Sequence, residues 1–142
     1  MDNKIISFEL ITGSDKQVDH LYDLLKKRNF TISHKDLPSY NIHKKFVLKN
    51  PYKYWYLISL KKSYIGSFYI KQDNSIGINV TFQNKEILSS ILSFLKLNHS
   101  PNKSSASLIP PYFYFNVASN NIQLQDLLKD LGAVSIQISY KI

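Results

Sequence analysis

The 142-residue sequence predicts one mixed α/β (α+β) domain, a largely antiparallel central sheet of six to seven strands with about four helices on its faces. Three observations carry that expectation. Residues 54–82 hold three consecutive strand-like runs, YWYLISL, YIGSFYIK and IGINVTF, divided by the short polar turns 61–63 and 72–75. Further stretches carry apolar residues at helical spacing. No repeat, linker or shift in composition marks a boundary within a length that suits one domain.

In order, residues 4–11 (KIISFELI) read as a strand. Residues 15–27 place Val18, Leu21, Tyr22 and Leu25 on one helical face, with Ser14 or Asp15 available as the cap. Residues 30–34 are short and β-branched, which suits an extended segment. Pro38 suits the first position of a second helix whose buried face would be Ile42, Phe46 and Val47, and Asn50-Pro51 ends it. After the three-strand meander, residues 85–97 form a helix with a wide apolar face (Ile87, Leu88, Ile91, Leu92, Leu95). Residues 98–107 (NHSPNKSSAS) read as a loop. Residues 112–118 (YFYFNVA) follow as a buried strand. A helix over 121–131 turns Leu124, Leu127, Leu128 and Leu131 inward, with Asn120 or Asn121 as its cap and Gly132 as its stop. Residues 133–142 alternate Val134, Ile136, Ile138 and Tyr140, the period of a closing strand.

Composition narrows the function. The absence of cysteine excludes a disulfide scaffold, a thiolate metal site and a cysteine nucleophile. Lys plus Arg is 18 against 10 for Asp plus Glu, a net charge of +8, and Arg28 is the one arginine. Lysines attract polyanions loosely and lack the bidentate fork that reads base edges, so nucleic acid is not an expected partner. Asp15, Asp19 and Asp23 recur on a polar helical face with no spaced histidine, so no metal site is expected. The N-terminal run MDNKIISFELITG is broken by Glu9 and no stretch is long and apolar enough to span a bilayer, which predicts no membrane association and a cytoplasmic protein.

The last third carries a recognisable pattern. Asn120-Asn121, a leucine-rich helix, Leu131-Gly132 and a strand with Ile136-Gln137 and Tyr140 resemble the closing motif of the GNAT superfamily of acyl-CoA-dependent N-acyltransferases. Two more stretches resemble a bacterial and archaeal branch of that superfamily. One runs Ile32-Ser33-His34, Leu37-Pro38-Ser39, His43, Phe46 and Asn50-Pro51-Tyr52; the other runs Trp55-Tyr56-Leu57-Ile58, Ile65 to Ile70 and Ile76-Gly77-Ile78.

The resemblance implies transfer of an acetyl or acyl group from acyl-CoA to an amine, such as an amino sugar or another small molecule. It implies that the fourth and fifth strands splay and that the pantetheine arm lies between them. On that basis Ile78, Val80, Asn116 and Asn121 are candidates for the arm, and Gln83, Asn84 and Lys85 for the pyrophosphate. Backbone N–H near Asn79 and Val80 would hold the developing oxyanion. His34 is the leading candidate base, with His43 and Glu9, acting through water, as others, and His43 and Trp55 would line the acceptor site. Such domains often pair, so a homodimer is also expected.

Two departures from the family pattern motivate an alternative. Glycines are expected where the backbone meets the phosphates, yet Gln83-Asn84-Lys85-Glu86-Ile87-Leu88 has none. A carboxylate at Glu86 repels a phosphate. The tyrosine that many members use to protonate the leaving thiolate is replaced by Leu128. The alternative is a degenerate GNAT domain that has lost CoA and acts as a binding or protein-interaction module.

Overall fold

The computed structural model describes residues 5–28, 36–103 and 109–142, so the expected extended segment 30–34 lies outside the described residues. The elements are β1 (Ile6–Leu10), α1 (Asp15–Lys26), α2 (Tyr40–Leu48), β2 (Tyr54–Leu60), β3 (Ser63–Ile70), β4 (Ser75–Val80), α3 (Lys85–Asn98), β5 (Tyr114–Phe115) and α4 (Ile122–Asp130). The strands make one five-stranded sheet in the order β1-β2-β3-β4-β5. Every pairing is antiparallel except β4 with β5, which is parallel and is reached through the α3 crossover.

Alternation along the strands divides the side chains between two layers. Trp55 and Leu57 of β2 pack under α1 and α2 with Val18, Leu21, Leu24 and Val47. Tyr56 and Ile58 face the other way, onto Ile87, Ile91 and Leu95 of α3. A bulge adjusts this pattern. Ile58 faces Gly66 whereas Ser59 faces Tyr64, which leaves Ile65 as the extra residue of β3. Ile65 thereby joins the same layer as Phe68 and Ile70. α4 leans on α3 through a smaller cluster of Leu88, Leu124 and Leu128.

Helix ends follow local chemistry. Ser14 caps α1 by accepting from the Gln17 N–H. Gly132 ends α4 with φ of 94°, a conformation that side chains resist, and the Ala133 N–H reaches back to the Leu128 carbonyl. The hairpin joining β3 to β4 turns at Asn74, with φ of 72°, a region asparagine tolerates. Its buried carboxamide donates to the carbonyls of Asn102 and Pro110 and accepts from the Asn102 N–H, stapling the segment after α3 to the sheet.

Four expectations are corrected. The sheet has five strands among the described residues rather than six to seven. Residues 133–142 form no strand: Val134 is 81% exposed, Ile138 73% and Tyr140 85%, because the segment is not seated against either edge of the sheet. β5 is two residues long rather than seven. α2 begins at Tyr40 under a Ser39 cap rather than at Pro38, and it buries His43 and Val47 while Ile42 and Phe46 are exposed. The reason is the docking of α2 on α1, where the His43 Nε2–H donates to the Val18 carbonyl at 3.0 Å.

Candidate functional site

β4 and β5 pair only at Ser75–Tyr114 and Ile76–Phe115. Beyond Ile76 the two strands part, although β4 runs on to Val80. Backbone alternation decides what β4 presents there. Ser75 accepts from the Lys71 N–H, and Thr81 donates to the Ile65 carbonyl, both across to the β3 side. The ladder between them is regular, so the odd-numbered residues of β4, Asn79 included, turn their main-chain groups toward β3. Ile78 and Val80 turn theirs toward the opening. An unpaired strand edge of this kind accepts an extended chain carrying amides.

The opening is a cavity of about 100 Å³ lined by Ile78 to Gln83 and by Asn121, Gln123 and Leu124. It lies at the carboxyl ends of two parallel strands and beside the N-termini of the helices that follow them, the usual ligand position in sheets with crossover connections. Asn121 is buried and caps α4, its Oδ1 accepting from the Leu124 N–H. Gln123 Nε2 donates to the Gln83 main-chain carbonyl at 3.3 Å and so bridges the two loops. The Gln83 Oε1 is buried without a hydrogen-bond partner. Asn84 caps α3 by accepting from the Ile87 N–H at 2.8 Å. Glu86 sits in the first turn of α3.

The fold brings Ile78, Asn79, Val80, Gln83 and Asn121 together at this cavity and sets Asn84 and Lys85 at its margin, at the head of α3. Asn116 is exposed just past β5. His34 lies outside the described residues. His43 and Trp55 belong to the α1–α2 layer. Burial holds the His43 imidazole below its ordinary pKa, partly offset by the bond to Val18. Trp55 is wedged edge-on between Phe46 and Tyr52. Leu88 and Leu128 pack against each other between α3 and α4.

Glu9 shares a row across the sheet with Leu57, Ser67 and Asn79, three strand spacings, or about 14 Å, from the opening. Hydrogen bonds from Gln17 and Tyr64 lower its pKa. Sequence reasoning did not single out Thr81, Phe82, Gln123 and Leu124 as lining residues. Nothing in their identity marks them, since loop closure alone puts them there. Among the described residues no group of three or more His, Asp or Glu could hold a metal, and no helix is long and apolar enough to cross a membrane.

No family model and no curated protein matches this sequence. Solved structures do match its fold. A domain from Methanocaldococcus jannaschii superposes with a TM-score of 0.66 at 18% identity, over 92% of this chain and 88% of that one. An aminoglycoside N-acetyltransferase in complex with CoA superposes with a TM-score of 0.57 at 10% identity, over 99% and 96%. An aminoglycoside acetyltransferase from an uncultured soil metagenomic sample, in complex with trehalose, gives 0.54 at 12% identity, over 99% and 96%. The chain thus has the mixed α+β, GNAT-like fold of these acetyltransferases. At such identities the likeness is one of fold, and function has to be argued from the site.

Proposed function

We propose that this protein transfers an acetyl or other acyl group from acyl-CoA to the amine of a small molecule, with amino sugars as the leading acceptor class. The observation that carries the proposal is the parting of β4 from β5, which leaves the main-chain groups of Ile78 and Val80 facing a cavity closed by Asn121 and Gln83. The aminoglycoside acetyltransferases of like fold support the acceptor class.

In the reaction the amine nitrogen attacks the thioester carbonyl, a C–N bond forms and the C–S bond breaks. The amine gives up one proton and the departing thiolate gains one. Ile78 and Val80 would pair with the amides of the pantetheine arm and hold it extended. The Val80 N–H is the β4 donor placed for the oxyanion, because the Asn79 amide is directed to β3. Asn79 and Asn116 would line the arm with their side chains, and Gln83, Asn84 and Lys85 would stand at its far end, at the head of α3. His34 would take the amine proton, whereas His43 and Trp55, buried in the α1–α2 layer, have no surface to offer an acceptor. The thiolate would draw its proton from water, since Leu128 has no hydroxyl.

Thiol release from acetyl-CoA, followed with aminoglycosides, amino sugars and simple amines, tests this. Saturable release is expected, and Asn121→Ala should lower kcat/KM by about tenfold, the value of one good hydrogen bond.

A second reading has its own observation. Leu128 and Leu88 are committed to packing, and the α3 N-terminus is capped from within by Asn84. A GNAT frame used as a binding or interaction module would show these features. Such a module would neither bind acetyl-CoA nor release thiol while melting cooperatively.

A further inference from the structure

We infer that the donor site reads the acylated pantetheine arm alone and takes no hold on the nucleotide diphosphate behind it. This rests on the acyl-transfer reading and narrows its donor class to pantetheine thioesters, whether carried on CoA or on a protein.

The two ends of the site differ in chemistry. Along β4 the opening offers alternating donors and acceptors, the main-chain groups of Ile78 and Val80. Such an edge suits a chain of amides. At the α3 end the chemistry reverses, because a diphosphate needs free N–H groups and positive charge held close to the backbone. The four residues between β4 and α3, Thr81, Phe82, Gln83 and Asn84, include no glycine, so side chains line the whole approach.

Three groups at that end weigh against a diphosphate. The Ile87 N–H is taken by the Asn84 side chain. Glu86 places a carboxylate in the first turn. The buried group that lacks a partner is the Gln83 Oε1, also an acceptor. Gln83 lines the cavity, and its Oε1, once turned toward an occupant, would accept from an N–H or O–H, which a diphosphate, carrying only acceptors, cannot supply. An amide N–H or the hydroxyl of the pantetheine arm can.

Cations do stand at this end of the sheet, but outside the cavity. Lys61 and Lys62 form the exposed turn between β2 and β3, and Lys85 is exposed at the head of α3. They are placed to meet an acidic surface that carries the arm rather than phosphates bound within it.

Calorimetric titration of the full chain at fixed ionic strength tests the inference with four ligands: S-acetylpantetheine, acetyl-CoA, adenosine 3′,5′-bisphosphate, and an acyl carrier protein loaded with an acetyl-phosphopantetheine arm. S-acetylpantetheine and acetyl-CoA are expected to bind within about threefold of each other, with the bisphosphate not competing. Gln83→Leu should weaken both thioesters by the same factor, about tenfold, and Gln83→Glu, which keeps an acceptor, should weaken them less.

A loaded carrier protein that binds more tightly than S-acetylpantetheine, with an advantage that fades as salt is raised, identifies a protein as the source of the arm. Equal binding identifies the free thioester. Acetyl-CoA binding more than about tenfold tighter than S-acetylpantetheine, or displacement by the bisphosphate, overturns the inference while leaving acyl transfer standing. Failure of all thioesters to bind a cooperatively melting protein removes the acyl-transfer reading itself, and this inference with it.

Discussion

β3 is paired with β2 from end to end and with β4 from Gly66 to Ile70, whereas β4 has one neighbour along its length and another for two residues only. The two halves of the sheet differ accordingly. The β2–β3 half carries the fully buried side chains Leu57, Ile58 and Phe68, with helices on both faces. The β4–β5 half carries a cavity, a buried acceptor without a partner and helix N-termini. Each half holds one buried side-chain atom without a partner, Trp55 Nε1 in the first and Gln83 Oε1 in the second, but the second also leaves the main-chain groups of Ile78 and Val80 facing an opening, which a protein tolerates where a ligand will satisfy them. The same sheet serves both ends because β4 belongs to both.

That contrast can be broken from either side. The largest effect is expected in the closed half. Phe68→Ala removes a fully buried ring that meets Phe8 and Phe94 edge-on, and it should cost about 3–5 kcal/mol in urea unfolding. A loss below about 1 kcal/mol would show that this half is not the stable one. Next is Asn74→Ala, which leaves the carbonyls of Asn102 and Pro110 and the Asn102 N–H without their partner. It should cost about 2–3 kcal/mol and loosen the segment after α3, seen as faster amide exchange at Asn102.

Acid should act on the closed half through two histidines. Burial depresses the pKa of His43, and burial followed by the nearby Lys53 depresses that of His99, whose ring is 2.7 Å from the Tyr56 hydroxyl. Both lie below the ordinary value of 6.5. Below that pH the unfolded chain takes up protons that the folded chain refuses. Stability is therefore full above pH 6.5 and falls as the pH drops below it. His43→Gln should flatten the dependence of Tm on pH between 6.5 and 5, and an unchanged slope would remove His43 from the account. The smallest effect is expected from ending the chain after Gly132. Residues 133–142 are exposed throughout, so Tm should move by no more than about 2 °C. A larger fall would show that the segment is covered in solution, as the expected homodimer would allow.

Much of this fold was legible in the sequence because its signals are local. The three-strand meander announced itself through β-branched and aromatic runs between polar turns, and α1, α3 and α4 through their apolar stripes. Ser14 and Gly132 marked helix ends by chemistry that needs no distant partner. The misreadings all involve partners far along the chain. Alternation at Val134, Ile136, Ile138 and Tyr140 describes a chain able to pair, not one that is seated against an edge. The apolar residues of α2 did not foretell its buried face, because a histidine bond to the Val18 carbonyl sets how α2 sits on α1. The candidate site divides in the same way. Ile78, Val80, Gln83 and Asn121 converge, whereas His43 and Trp55 lie in the other layer.

By itself the sequence determined the class of fold, the order of its helices and of the β2–β4 meander, and the absence of glycine from the β4–α3 loop. Each depends on hydrophobic period, turn chemistry or residue identity within a few positions. Only the tertiary structure decided where β4 and β5 part, that the Val80 amide rather than the Asn79 amide faces the opening, and that the Gln83 oxygen is left dry and unpartnered. Those properties belong to the register between strands and the packing between loops, which residues distant in the chain set jointly and no local pattern encodes.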